Sequence, residues 1–175
     1  MTLNLRPLLL FLCLAAGTAH ASDADSGESP GVPQTGEFVL LTRTTDLVSA
    51  EAAASIATVV SPDEEIAWQL YVPESYDPSK PAGLLVYVSP TPSGEIPRGW
   101  SSVLDSHNVI WIGTDRAGNS ELVARRILFA MLAPTLATQR YKIDAERIYI
   151  TGLSGGGKTA SMVATDQAQL FRGAI

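Results

Sequence analysis

The sequence predicts an α/β fold with a mostly parallel sheet flanked by helices. Three observations predict it. Short runs that are apolar almost throughout, "LLVYVS" (84–89), "VIWIGTD" (109–115) and "RIYIT" (147–151), read as strands buried on both faces. Segments with helical periodicity separate or follow them, which is the order of a sheet built from crossover units. Turn-forming residues gather directly behind two of the runs, as "SPTPSG" (89–94) and "GLSGGG" (152–157). In open α/β sheets the working residues sit in such loops, at the carboxyl ends of strands.

Taken in order, residues 22–36, "SDADSGESPGVPQTG", are small, polar and rich in Gly and Pro, and read as a flexible linker. "EFVLLT" (37–42) reads as a first strand, while the Ala-rich "SAEAAASIATVV" (49–60) leaves helix and strand open. "EIAWQLYVP" (65–73) alternates and is rich in strand formers, and a turn-rich stretch follows it. The three-proline loop after residue 89 leads to a short helix at "GWSSVLDSHN" (99–108). "ELVARRILFAMLAPTLATQRY" (121–141) has a helical apolar pattern that Pro134 is expected to kink or split. "KTASMVATDQAQ" (158–169) reads as a helix after the glycine loop, and "LFRGAI" (170–175) as the start of one more strand.

The first 21 residues have the grammar of a secretory signal. Arg6 is the positive element, residues 8–16 the apolar region, and Ala19-His20-Ala21 an A-x-A site that predicts cleavage between Ala21 and Ser22. The apolar run is short of the roughly 20 residues that span a bilayer, so no stable membrane anchor is expected. The predicted destination is periplasmic or extracellular. Residues 37–175 then form the folded part. The single cysteine, Cys13, lies inside the signal, so the exported chain has no disulfide, thiolate nucleophile or cysteine metal site. Net charge is −6 and no Lys/Arg cluster stands out, which disfavours nucleic acid as a partner. No His/Asp/Glu cluster has metal-ligand spacing, and no cofactor is implied.

Residues 150–160, "ITGLSGGGKTA", satisfy two catalytic patterns at once. Gly152-Leu153-Ser154-Gly155-Gly156 is G-x-S-x-G, the elbow that lifts a serine nucleophile between a strand and a helix. Gly152 through Thr159 is also G-x-x-x-x-G-K-T, a phosphate-cradling loop in which Lys158 and Thr159 would meet phosphate and metal. Both need a strand before and a helix after, so context decides. A nucleotide site needs a second strand ending in a Mg²⁺-binding carboxylate, usually downstream. Downstream of Thr159 the one acid is Asp166, within a predicted helix. The elbow has a role for each position: Gly152 and Gly156 keep the turn small, and the Gly155 N–H helps form an oxyanion hole. Lys158 is then an ordinary helix residue.

The segments "WQLYVPESYDPSKPAGLLVYVSP", "VIWIGTD", "RYKIDAERIYITGLSGGGKTASMVAT" and "LFRGAI" resemble the α/β-hydrolase superfamily. The nearest likeness is to secreted esterases related to polyhydroxybutyrate depolymerases and feruloyl esterases, over residues 65–175. The resemblance implies that Ser154 is acylated by a small-molecule or polymeric ester and that "LLVYVS" feeds the oxyanion loop. Where such esterases often have His-Gly, this chain has Ser89-Pro90. Pro90 and Pro92 have no N–H to donate, so Thr91 is the expected second oxyanion donor.

A serine hydrolase of this fold takes its acid and then its histidine from downstream of the serine. No histidine follows Ser154, and His107 precedes it in the wrong order. Asp115, at a strand end, is expected beside the site without being the triad acid, and Asp166 as a solvated helix residue. The expectation is the N-terminal part of a longer hydrolase, truncated after the elbow helix and inactive as 175 residues alone. A catalytically inactive chain that binds a partner is the alternative from a different class.

Overall fold

The computed structural model describes residues 33–175. The predicted signal and residues 22–32 of the predicted linker lie outside the described residues. The linker's remaining residues are tied to the fold, because Tyr141 Oη donates to the Gln34 carbonyl at 2.8 Å and Gly36 already belongs to a strand.

The chain runs β1 (Gly36–Thr42), α1 (Thr44–Leu47), α2 (Ala50–Ser55), β2 (Ile66–Val72), β3 (Ala82–Val88) and α3 (Ser101–His107). It continues through β4 (Val109–Thr114), α4 (Val123–Arg140), β5 (Ile143–Gly152), α5 (Gly155–Asp166) and β6 (Gly173–Ala174). The six strands form one sheet in the order β1-β2-β4-β3-β5-β6. β1 and β2 are antiparallel to their neighbours, whereas β4, β3, β5 and β6 are mutually parallel. The expected mostly parallel sheet flanked by helices is therefore present, with an antiparallel margin at the β1 end.

Side chains alternate between the two faces of a strand. Leu84, Val86 and Val88 of β3, Ile110 and Ile112 of β4, and Ile148 and Ile150 of β5 face one way. They bury against Phe129, Leu132 and Leu136 of α4 and Ala160 and Val163 of α5. Leu85 and Trp111 point to the other face, where they meet Leu104 of α3 and Tyr71. Burying each such large side chain contributes about 1.5–3 kcal/mol. Apolar residues on both faces of the central strands are the reason those runs read as continuous rather than alternating.

Two expectations need correction. α4 is not split at Pro134 but continues through it as one helix, with the proline itself buried. A proline inside a helix costs about 3 kcal/mol, and here the apolar face on either side of it offsets that loss. Thr138 Oγ1 also donates to the Pro134 carbonyl at 2.9 Å. The second correction concerns the glycines. α5 begins at Gly155 rather than at Lys158, so three of the supposed loop residues are helical. The Ala-rich segment left open by its pattern contains α2, capped by Ser49 Oγ accepting from the Ala52 N–H at 3.2 Å.

Strand order places the site. From β3 the chain crosses to β4 on one side, and from β4 it crosses back over to β5 on the other. The crevice at the carboxyl ends of the parallel strands beside this reversal is where ligands bind in open α/β sheets. The loops after β3, β4 and β5 all end there.

Candidate active site

Ser154 is the hinge between β5 and α5. Its backbone sits at φ 55° and ψ −120°, and its side chain is exposed. A non-glycine residue at positive φ is strained, and such strain persists only where neighbours impose it. The neighbours here are close. A Cβ on Gly152 would lie 2.7 Å from the Gly157 nitrogen, and one on Gly156 would overlap the Val88 carbonyl oxygen. Strand and helix meet without side chains between them, and the single residue at the corner is turned outward. Ser154 Oγ does not cap the helix behind it, so the hydroxyl is uncommitted.

The same geometry is tighter than an open phosphate loop. Only Leu153 and Ser154 separate β5 from α5. The Gly156 N–H already donates to the Leu153 carbonyl at 2.8 Å, and the Lys158 N–H to the Ser154 carbonyl at 3.2 Å. Thr159 is buried and its Oγ1 donates back to the Gly155 carbonyl at 3.3 Å, while Lys158 is exposed. The Gly155 N–H has no acceptor among the described residues, as an oxyanion donor requires.

The loop after β3 is held from three directions. Gly94 N–H donates to Asp115 Oδ1 at 2.9 Å, Gln69 Nε2 donates to Asp115 Oδ2 at 2.7 Å, and Trp111 Nε1 donates to the Gly94 carbonyl at 3.1 Å. Asp115 is thus a loop tie, with both carboxylate oxygens engaged. Pro90 and Pro92 offer no N–H, but their carbonyls accept from the Asn119 N–H (3.0 Å) and the Arg116 N–H (2.6 Å). From α4, the buried Arg126 reaches under both loops. Its Nε donates to the Ala117 carbonyl at 2.9 Å and its terminal nitrogen to the Ser89 carbonyl at 3.0 Å. Burial lowers the Arg126 pKa from its ordinary value, and no carboxylate pairs with it among the described residues.

Thr91, the expected second donor, has its amide engaged within its own loop. Its N–H donates to Ser89 Oγ at 3.1 Å, and the two hydroxyls lie 3.0 Å apart, so the amide is spent on a local turn. A serine one residue before a proline closes on the next free amide, a competition invisible to a scan for donors. The residue missed by sequence reasoning is Asn119. Its carboxamide stands against Gly155, where a Cβ would be 2.8 Å from Asn119 Cγ. The signal was available, since "TDRAGNS" is a polar run at the carboxyl end of β4.

No base joins them among the described residues. His107 is the last residue of α3, ahead of β4, and its carbonyl accepts from an Arg147 nitrogen at 2.7 Å. It is exposed at the amino-terminal end of the parallel strands, opposite the elbow. Asp166, exposed at the far end of α5, is also remote from Ser154. No group of three His, Cys, Asp or Glu residues suited to a metal ion occurs among the described residues.

Comparison with known proteins agrees with this geometry. Residues 129–175 match the prolyl oligopeptidase family, a stretch that runs from within α4 through the elbow. No curated protein is similar enough to match. Among solved structures, a thermostable esterase superposes with a TM-score of 0.55 at 18% identity, over 79% of this chain and 40% of that one. The acetyl xylan esterase from Aspergillus awamori gives 0.54 at 16% identity, over 77% and 50%. The acylaminoacyl peptidase from Pyrococcus horikoshii gives 0.50 at 20%, over 64% and 21%. The chain spans half or less of the length of each. Esterases and peptidases share this framework, and the chain has the α/β-hydrolase fold.

Proposed function

We propose that the protein is a serine hydrolase in which Ser154 forms an acyl-enzyme with a carboxylic ester. The observation that carries this is the strained, exposed Ser154 at the carboxyl end of β5, its hydroxyl uncommitted and the Gly155 N–H open beside it. Ser154 Oγ adds to the ester carbonyl, the developing oxyanion is met by Gly155 N–H, and the alcohol leaves with a proton. Water then releases the acid. The proton on Oγ needs a base, and none faces Ser154 among the described residues.

The ester is small or polymeric, as the likeness to polyhydroxybutyrate depolymerases and feruloyl esterases suggests. The A-x-A pattern supports export with cleavage between Ala21 and Ser22, and hence a periplasmic or extracellular site of action. The match of residues 129–175 to the prolyl oligopeptidase family favours peptide bonds as the second substrate class.

The test is a fluorophosphonate probe on the full-length polypeptide, followed by a p-nitrophenyl ester and an aminoacyl p-nitroanilide. Labelling that disappears in Ser154→Ala, with turnover of the ester rather than the anilide, is the expected result. Preferential turnover of the anilide would move the protein to the peptidases. Absence of labelling in the wild type would sink the hydrolase and leave a binding protein built on a hydrolase scaffold.

A further inference from the structure

Resting on Ser154 as nucleophile, we propose that Asn119 is a catalytic residue, its carboxamide N–H serving as the second donor to the substrate oxyanion. The starting point is a vacancy in the donor set. An oxyanion hole in this fold pairs the amide after the nucleophile with a second donor from a neighbouring loop. Three consecutive residues of the loop after β3 offer none: Pro90 and Pro92 lack N–H groups, and the Thr91 N–H is held by Ser89 Oγ at 3.1 Å.

The loop after β4 supplies a replacement. Asn119 leans on the elbow so closely that a Cβ on Gly155 would lie 2.9 Å from Nδ2 and nearer still to Oδ1. Turning the amide over exchanges the two atoms, and no hydrogen bond of the side chain among the described residues fixes one orientation.

Gly155 gives independent support. Its φ is not positive, so its backbone does not demand glycine. The three nearest atoms a Cβ would strike all belong to the Asn119 carboxamide. The missing side chain at this position thus makes room for Asn119 at the mouth of α5. That contrasts with Gly152 and Gly156, where the obstacles are backbone.

Asn119 is also prepositioned, which an oxyanion donor needs in order to avoid reorganising during reaction. Its own N–H donates to the Pro90 carbonyl at 3.0 Å. Gly118 before it packs on Thr91, where a Cβ would be 2.7 Å from the carbonyl carbon. Ala117 is anchored by Arg126 Nε at 2.9 Å. The side chain itself remains exposed and accessible to substrate.

The experiment measures the second-order rate of fluorophosphonate labelling of Ser154 in full-length wild type, Asn119→Ala, Gly155→Ala and the double variant. Asn119→Ala is expected to label about a hundredfold more slowly, the usual loss for one oxyanion donor, with an unchanged melting temperature. Gly155→Ala displaces the carboxamide and is expected to show a similar loss, with no further loss in the double variant. Should Asn119→Ala fail to fold, the near-isosteric Asn119→Asp keeps the shape without the N–H and is expected to lose at least as much. Wild-type rates in Asn119→Ala would overturn the proposal while leaving Ser154 as nucleophile. A wild type that never labels would overturn both.

Discussion

The carbonyl oxygen of Val88, the last residue of β3, lies against the Cα of Gly156 in the first turn of the elbow helix, with no room for a Cβ between them. This contact sets how close the nucleophile comes to the loop that follows β3. Gly156→Ala is expected to force α5 away from the sheet at a cost of about 1–3 kcal/mol, the range for overpacking a filled site. Thermal unfolding would show the loss, and Ser154 labelling would fall with it. Wild-type stability in this variant would mean that the contact relaxes without consequence.

Strain at Ser154 separates two substitutions that both remove the nucleophile. At φ 55° an alanine keeps the steric conflict and a glycine relieves it. Ser154→Gly should therefore be more stable than Ser154→Ala by about 1–2 kcal/mol, the Cβ penalty of left-handed backbone. Denaturant midpoints of the two variants would measure it. Equal midpoints would argue that the elbow is not held in this conformation.

Arg126 joins the loops after β3 and β4 through two carbonyls, at 3.0 Å from Ser89 and 2.9 Å from Ala117. Arg126→Met fills similar space but strands both acceptors, a loss of about 2–4 kcal/mol for buried bonds to a charged donor. Because these loops carry Asn119 and Thr91, labelling should fall further than stability alone explains. Arg126→Lys should recover part of both. Hydrogen exchange at the Asn119 and Arg116 amides, faster in the methionine variant, would locate the loosening.

Tyr71 Oη donates to Asp105 Oδ1 at 2.8 Å, joining β2 to α3. Burial first, and this hydrogen bond second, push the phenol up from 10.0 to about 12. The folded pKa exceeds the unfolded one, so the stabilising contribution is complete below pH 10.0 and fades as pH rises through about 12. Tyr71→Phe should flatten this alkaline limb of the stability curve while losing about 1 kcal/mol near neutrality. Parallel limbs in the two proteins would assign the alkaline loss to other groups.

Much of the scaffold was legible because its signals are local. Apolar runs such as residues 84–89 and 109–115 mark strands buried on both faces, whatever lies around them. Pro134 does not split its helix, for the complementary reason. Its local cost is real, but the burial of Phe129, Leu132 and Leu136 is tertiary and outweighs it. The glycines after Ser154 likewise look like loop residues, yet they form the first turn of a helix, with Gly156 packed against Val88 of β3.

By itself the sequence determined the α/β class and a turn at Ser154 between a strand and a helix, because each depends on residues adjacent along the chain. Context in the sequence already favoured elbow over phosphate loop, and the tertiary structure added that α5 starts at Gly155, with Val88 close against Gly156. It also showed that the Thr91 N–H is engaged by Ser89 Oγ and that the Asn119 carboxamide lies against Gly155. Asn119 and Gly155 lie 36 positions apart in the chain, and only the placing of β4 and β5 on either side of β3 brings them together. Contacts of that kind leave no periodicity or motif behind, because nothing local depends on them.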